Sequence, residues 1–279
     1  MIRRLALALA VLAFCVPAEA QEPSEFERIL LPVLFQGPGA RGSEWNTRIS
    51  AFNSGPVFVE LANAVFEGDP MCPAVCGCDR RDDVNPSETA VVCTAGLAHP
   101  AGLLIHVPRI AAATLHYHAR IFDTSRSTLN AGTEIPVVRE SDFRTDEIML
   151  LDLPLDGTPA QTENNFRVAL RVYNPDQIDG AQVLMQAVDL STGDIMGDEI
   201  ITLQYEEAGT EAGPFPTRPS FAFLNDVDNL VRGMIPPVVT GVTSFHLRLT
   251  PVVPGTRIWA FASITNNETQ LVTTVSPQH

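Results

Sequence analysis

The sequence predicts an all-β protein, either two tandem immunoglobulin-like β-sandwiches or one larger sandwich with long loops. Three observations lead there. Apolar and polar residues alternate with the two-residue period of a strand in several separate segments. Clusters of turn-forming residues lie between those segments. The 22 prolines and 18 glycines are spread along the chain, and no window carries a helical stripe of three or more turns.

The strands follow in order. Trp45–Asn53 leads through the turn Asn53-Ser54-Gly55-Pro56 into Val57–Leu61. Leu115-His116-Tyr117-His118-Ala119-Arg120-Ile121 alternates next. Phe166–Tyr173 places its phenylalanine, valines and leucine on one face and its arginines on the other. Asn174-Pro175-Asp176 turns it into Gln182–Met185, and Ser191-Thr192-Gly193-Asp194 is a further turn. Phe245–Leu249 and Arg257–Ile264 complete the set, separated by Pro254-Gly255-Thr256. The expected core includes Phe166, Val168, Leu170, Phe245, Leu247 and Ile258. A weak repeat is visible, because Trp45–Asn53 and Asn165–Asn174 are both strands that end in asparagine, turn, and enter a second strand. Both halves close with an aromatic-bearing strand and a polar turn. The predicted division is residues 21–145, with a cysteine-containing loop at 67–98, and residues 146–279.

The first 20 residues predict export. Arg3-Arg4, an apolar run from Leu5 to Val16, and Ala18-Glu19-Ala20 form the three regions of a cleaved signal peptide. The run is shorter than the roughly 20 residues a membrane span needs. Cys15 follows Phe14, and the bulk of that side chain argues against a lipoprotein signal. The expected location is the periplasm or the cell exterior.

Composition removes several chemistries. Acidic side chains number 33 against 18 basic ones, a net charge of −15. Cleavage after Ala20 removes Arg3, Arg4 and Glu19, which leaves 16 basic and 32 acidic groups and a net charge of −16. All the basic residues are arginine, so Schiff bases, Ser–Lys dyads and the phosphate-loop lysine are excluded. So acidic a chain is not expected to bind nucleic acid, which requires a basic face. The arginines on strand faces and the acids in turns read as solvation of an exported β protein.

Several motifs together resemble a group of uncharacterised secreted bacterial β-sandwich proteins. They are Leu31-Pro32-Val33, Pro38-Gly39-Ala40-Arg41-Gly42-Ser43, Trp45-Asn46-Thr47 leading to Asn53, Phe166-Arg167 through Leu170 to Asn174, and Trp259-Ala260-Phe261-Ala262-Ser263 with Asn266. The resemblance covers most of the chain after residue 20 and implies a fold and an export route. It implies no catalytic residue, and the segment around 67–98 departs from it as an insertion.

Cys72, Cys76, Cys78 and Cys93 are the candidate disulfide residues. An even count in an exported chain points to two bridges, paired 72–76 with 78–93 or 72–78 with 76–93. A tetrahedral zinc site is the alternative use of four thiols. His116 and His118 leave one strand face together, which suits a metal pair, yet Arg120 continues that face and suits a solvated stripe instead. His99, His106 and His246 have no partner visible in the sequence.

Gly37–Gly42 spells G-x-G-x-x-G, but a strand follows it rather than the helix a dinucleotide site requires, so it reads as a turn. Asp123-Thr124-Ser125 has a serine where an aspartic protease loop has glycine. Neither G-x-S-x-G nor H-E-x-x-H occurs. Calcium has candidate oxygens at Asp176 and Asp179, and at Asp226 and Asp228, in turns that asparagine and aspartate also favour on conformational grounds.

No cofactor is expected apart from that calcium. The expected function is a non-enzymatic interaction or structural module whose partner is a protein or a glycan. The alternatives are a secreted glycan hydrolase with a carboxylate pair in its loops and a calcium-stabilised adhesin. The cysteines give the first prediction. Thiol titration of the denatured, unreduced chain from residue 21 onward is expected to find no free thiol. Four reactive thiols, released together with zinc, would replace the two bridges by a metal site.

Overall fold

The alternation at Phe166–Asn174 puts alternate side chains on opposite faces of one strand, and both faces of that strand are covered. The computed structural model describes residues 25–39, 42–60, 83–92, 102–125, 131–155, 165–205, 218–234 and 242–278. The four candidate cysteines, His99 and the predicted signal segment lie outside the described residues. No helix among the described residues is long and apolar enough to cross a membrane.

The first half contains β1 (Phe26–Leu31), β2 (Gln36–Pro38), β3 (Glu44–Asn53), β4 (Val59–Glu60), β5 (Asp83–Val84) and β6 (Thr89–Val92). After them come β7 (Leu103–Pro108), the short helix α1 (Arg109–Ala112), β8 (Leu115–Asp123), β9 (Thr133–Ile135) and β10 (Val138–Arg139). Three strands form one sheet in the order β10-β1-β7. In the five-stranded sheet, β3 pairs with β8 along one side and with β2 and then β6 along the other, while β9 extends the sheet beyond β8. β4 and β5 form a separate two-stranded ladder. The inner faces of the two larger sheets meet in one core containing Leu30, Ile49, Ala51, Leu104, Leu115 and Ala119.

The second half contains β11 (Ile148–Pro154), β12 (Phe166–Asn174), β13 (Ala181–Asp189), β14 (Ile195–Leu203) and β15 (Ser220–Leu224). The helix α2 (Val227–Met234), β16 (Ser244–Pro251), β17 (Trp259–Asn266) and β18 (Val272–Val275) complete it. Its end sheet runs β11-β16-β13-β14 and its central sheet β15-β12-β17-β18, all antiparallel. Between them lies a second core, with Leu150, Val183, Phe245 and Leu247 facing Val168, Leu170, Val172 and Ala260. The protein is therefore all-β and sandwich-built, as expected. Of the six expected core residues five are buried, and Phe166, at the open start of β12, is only half-buried. The amphipathic helix α2 covers one side of this core with Val227 and Val231. Its Met234 lies so close to β14 that a β-carbon on Gly197 would come within 2.4 Å of it.

The repeat is real at the level of pairing. β1 pairs β7 as β11 pairs β16, β3 pairs β8 as β12 pairs β17, β6 pairs β3 as β15 pairs β12, and β9 pairs β8 as β18 pairs β17. The two terminal asparagines are fully buried and do the same work. Asn53 accepts the Gly55 N–H at 2.9 Å and donates to Val57 O at 2.7 Å and Val84 O at 2.9 Å. Asn174 accepts the Asp176 N–H at 2.9 Å and donates to Arg257 O at 2.8 Å. An apolar residue could not satisfy those turn amides, and each buried group left unpaired costs about 1–3 kcal/mol.

The halves are docked through the outer face of the central sheet. Tyr173, Trp259 and Phe261 leave that face and join the first core. The Tyr173 hydroxyl donates to Pro32 O, and Thr133 Oγ1 donates to Val272 O at 2.9 Å. Beside this apolar contact sits an ionic clasp. Arg28 bonds Glu140 (2.6 Å), Asp176 (3.0 Å) and Pro175 O (2.7 Å), and Arg257 bonds the same two carboxylates. Burial alone would raise both carboxyls, but the arginine hydrogen bonds and charges overcome it and hold Glu140 and Asp176 below the ordinary carboxylate range. His106 is buried close by, and burial, helped by Arg28, lowers its pKa to about 4.

These shifts fix a pH dependence. The unfolded chain protonates its histidines near pH 6.5, while folded His106 stays neutral down to about pH 4. Across that interval the unfolded state binds more protons, so acidification removes stability; below the ordinary carboxylate range Glu140 and Asp176 act in the same direction. The urea midpoint is expected to fall steadily from pH 7 to pH 4, and Arg257→Met to cost about 1 kcal/mol at pH 7. A midpoint that rises on acidification would contradict a buried, neutral His106.

Candidate functional site

The docking leaves a cleft. The three-stranded sheet is narrower than the five-stranded one, and the outer face of the central sheet lies against the inner-face residues beyond it. Between them is a cavity of about 350 Å³, at the lower end of the range for small-molecule sites. Trp45, Ile121 and Ile135 form one wall, and Val33 and Phe35, just after β1, close one side. Opposite stand Arg167, Ala169 and Arg171 of β12, Phe223 of β15, and Phe261, Ser263 and Thr265 of β17.

The β2–β3 hairpin sets the first wall. Gly39 N–H donates to Ser43 O at 2.7 Å and Pro38 pairs with Glu44, so a strand and not a nucleotide site's helix follows Gly42. A β-carbon on Gly39 would fall 2.3 Å from the Trp45 indole nitrogen; glycine is what allows that ring to lie over the hairpin and face the cleft.

Arg171 dominates the second wall. Its guanidinium carbon lies 4.4 Å from the Phe223 ring centre and 5.7 Å from that of Phe261, a cation–π arrangement on both rings. The residue retains some surface, yet its Nε retains none and has no hydrogen-bond partner. Among the described residues it forms no ion pair. Burial lowers its pKa from the ordinary value, an effect only partly countered by Tyr173. Sequence reasoning gave this arginine to solvent; the structure corrects that. The available signal was the company it keeps, because Ala169, Tyr173 and Phe261 share its face and make a solvated stripe implausible.

Most of the residues proposed for metals are engaged by protein groups. His116 and His118 are both exposed, as the stripe reading expected, and have diverging partners. His116 stacks on Phe52 and meets Ser54 Oγ at 3.1 Å, while His118 lies 3.3 Å from Arg120 Nε and 3.8 Å from Glu134. The Ser54 hydroxyl also lies 3.0 Å from Thr114 O, which competes with His116 for its proton. Asp176 is held by two arginines, and Asp179 accepts the Tyr205 N–H at 3.1 Å. Asp226 sits in a left-handed turn at φ 61°, and Asp228 is buried against the Val168 N–H at 3.2 Å. Burial raises the Asp228 pKa against that bond. No group of three or more metal-binding side chains occurs among the described residues.

Other candidates resolve into structural parts. Asp123 is buried, and its Oδ1 accepts from Glu44 N–H, Ser125 N–H and Ser125 Oγ, closing the turn after β8. His246 accepts the Asp152 N–H at 3.0 Å where the β11 ladder shifts register. A second hollow is lined by Arg144, Asp146 and Glu147, but Arg248 lies 3.3 Å from Glu147 and neutralises it. Comparisons with known protein families, with curated proteins and with solved structures find no match.

The occupied carboxylates give a direct test of calcium. Excess chelator is expected to leave the melting temperature of the chain unchanged to within about 1 °C. A fall of several degrees, reversed by calcium, would establish a structural ion.

Proposed function

We propose that this protein is an exported, non-enzymatic binding module whose ligand site is the cleft between its two β-sandwiches. The observation that carries the reading is the make-up of the cleft. Its walls are aromatic and aliphatic with a few polar groups, which is the usual make-up of a small-molecule site. Among the described residues that line it there is no carboxylate, imidazole or thiol. Such a site can hold and orient a molecule, but it lacks the acid and base that glycan hydrolysis requires. Binding at a junction of two rigid units is also where ligand sites concentrate. Export is supported by the signal-like residues 1–20, and the acidic surface suits a soluble exported protein. The resemblance to secreted bacterial β-sandwich proteins supports the fold and the export route of this reading.

The test uses the neutral fluorophore N-phenyl-1-naphthylamine, which brightens in apolar sites. Its emission is expected to rise with the native chain and saturate. Ser263→Phe, which fills the cleft from β17, is expected to weaken binding at least 10-fold while the melting temperature moves by less than about 3 °C. Saturable binding that survives this substitution would move the site elsewhere.

A further inference from the structure

We infer that the cleft takes a small monocarboxylate with an apolar body, and that Arg171 receives the carboxylate. This rests on the reading of the cleft as a binding site and adds the chemistry of the ligand. The starting point is an energetic imbalance. A guanidinium carries five N–H donors in a planar fork suited to a carboxylate. Arg171 places that fork in an aromatic cleft and leaves its Nε buried with no partner. A buried donor without an acceptor costs about 1–3 kcal/mol, and more when it is charged. The guanidinium carbon lies over the Phe223 and Phe261 rings, which accept no N–H hydrogen bond in the guanidinium plane, and Nε has no acceptor. An anion arriving in that plane completes the site.

Three features narrow the class. The chain carries a net charge of −15, so its overall field opposes anions, and a bare inorganic ion gains too little from one arginine to enter. Affinity has to come mainly from apolar contact with residues such as Trp45, Ile121 and Phe261. Second, the cleft holds two arginines, Arg167 and Arg171, four positions apart on one strand face, so their α-carbons are about 13 Å apart and only Arg171 sits over the paired aromatic rings. A single guanidinium balances one negative charge, not the two of a phosphate monoester. Third, a volume of about 350 Å³ admits a compact aromatic or medium-chain body.

The experiment is calorimetry on the chain from residue 21 onward with matched pairs: 3-phenylpropanoate against 3-phenylpropanamide, and octanoate against octanamide. Each acid is expected to bind at least 10-fold more tightly than its amide. Arg171→Met is expected to erase that difference and leave amide affinity within 3-fold, which also shows that the variant is folded. Arg167→Gln is expected to change acid affinity by less than 3-fold. If Arg171→Met does not fold, the native acid–amide difference and its reduction in Arg171→Lys serve in its place. Acids and amides of equal affinity would overturn the carboxylate inference and keep the binding site. Competition by inorganic phosphate or sulfate alone would overturn the apolar-bodied class. Failure of all four compounds, in a chain that binds the neutral fluorophore, would overturn the inference alone; failure of the fluorophore as well would overturn both readings.

Discussion

The structure depends on one sheet being buried from both sides. The central sheet gives Val168, Leu170, Val172 and Ala260 to its own sandwich and Tyr173, Trp259 and Phe261 to the other half. Each large apolar side chain fully buried contributes about 1.5–3 kcal/mol, so the outer face is as much a core surface as the inner one. Docking then has directional partners: the Tyr173 hydroxyl reaches Pro32, and Arg28 and Arg257 share Glu140 and Asp176 across the join. Neither sandwich is independent of the other, and the relation between them is set by packing rather than by a linker.

Much of this was legible in the sequence. Strand-period alternation located β3, β8, β12, β16 and β17, and the asparagine-terminated strands revealed the repeat. These signals are strong because a half-buried strand leaves one regular apolar face. The docking face was harder to read, because Arg167 and Arg171 mimic the polar side of an exposed strand. Trp259-Ala260-Phe261-Ala262 carried the missing information, since four successive buried residues cannot belong to a strand with a wet face. The short helix α2 lay hidden in what read as an acidic turn, where Asp226 and Asp228 suggested an ion. Their actual work is to shape the turn and to hold the first residues of β12.

The cleft follows from mismatched widths. Three strands cannot cover five, and the second half covers part of what remains without filling it. The sequence offers no motif for such a site because its residues come from both halves, and each looks ordinary in its own strand. Arg171 becomes notable only when Phe223 and Phe261 are seen beneath it and nothing beside it.

The repeat also puts equivalent residues on two different sheet faces. The register that matches Asn53 with Asn174 matches Phe52 with Tyr173, His116 with Trp259, His118 with Phe261 and Arg120 with Ser263. The first half therefore owns a counterpart of the docking face, and it is built from exposed histidines with Arg48 and Arg120 directly opposed across the pair. Burying two like charges against a further copy is prohibitively costly without anions between them. The His116–Arg120 stripe thus leaves this face polar and charged, where its counterpart in the second half presents Trp259 and Phe261 to the other sandwich.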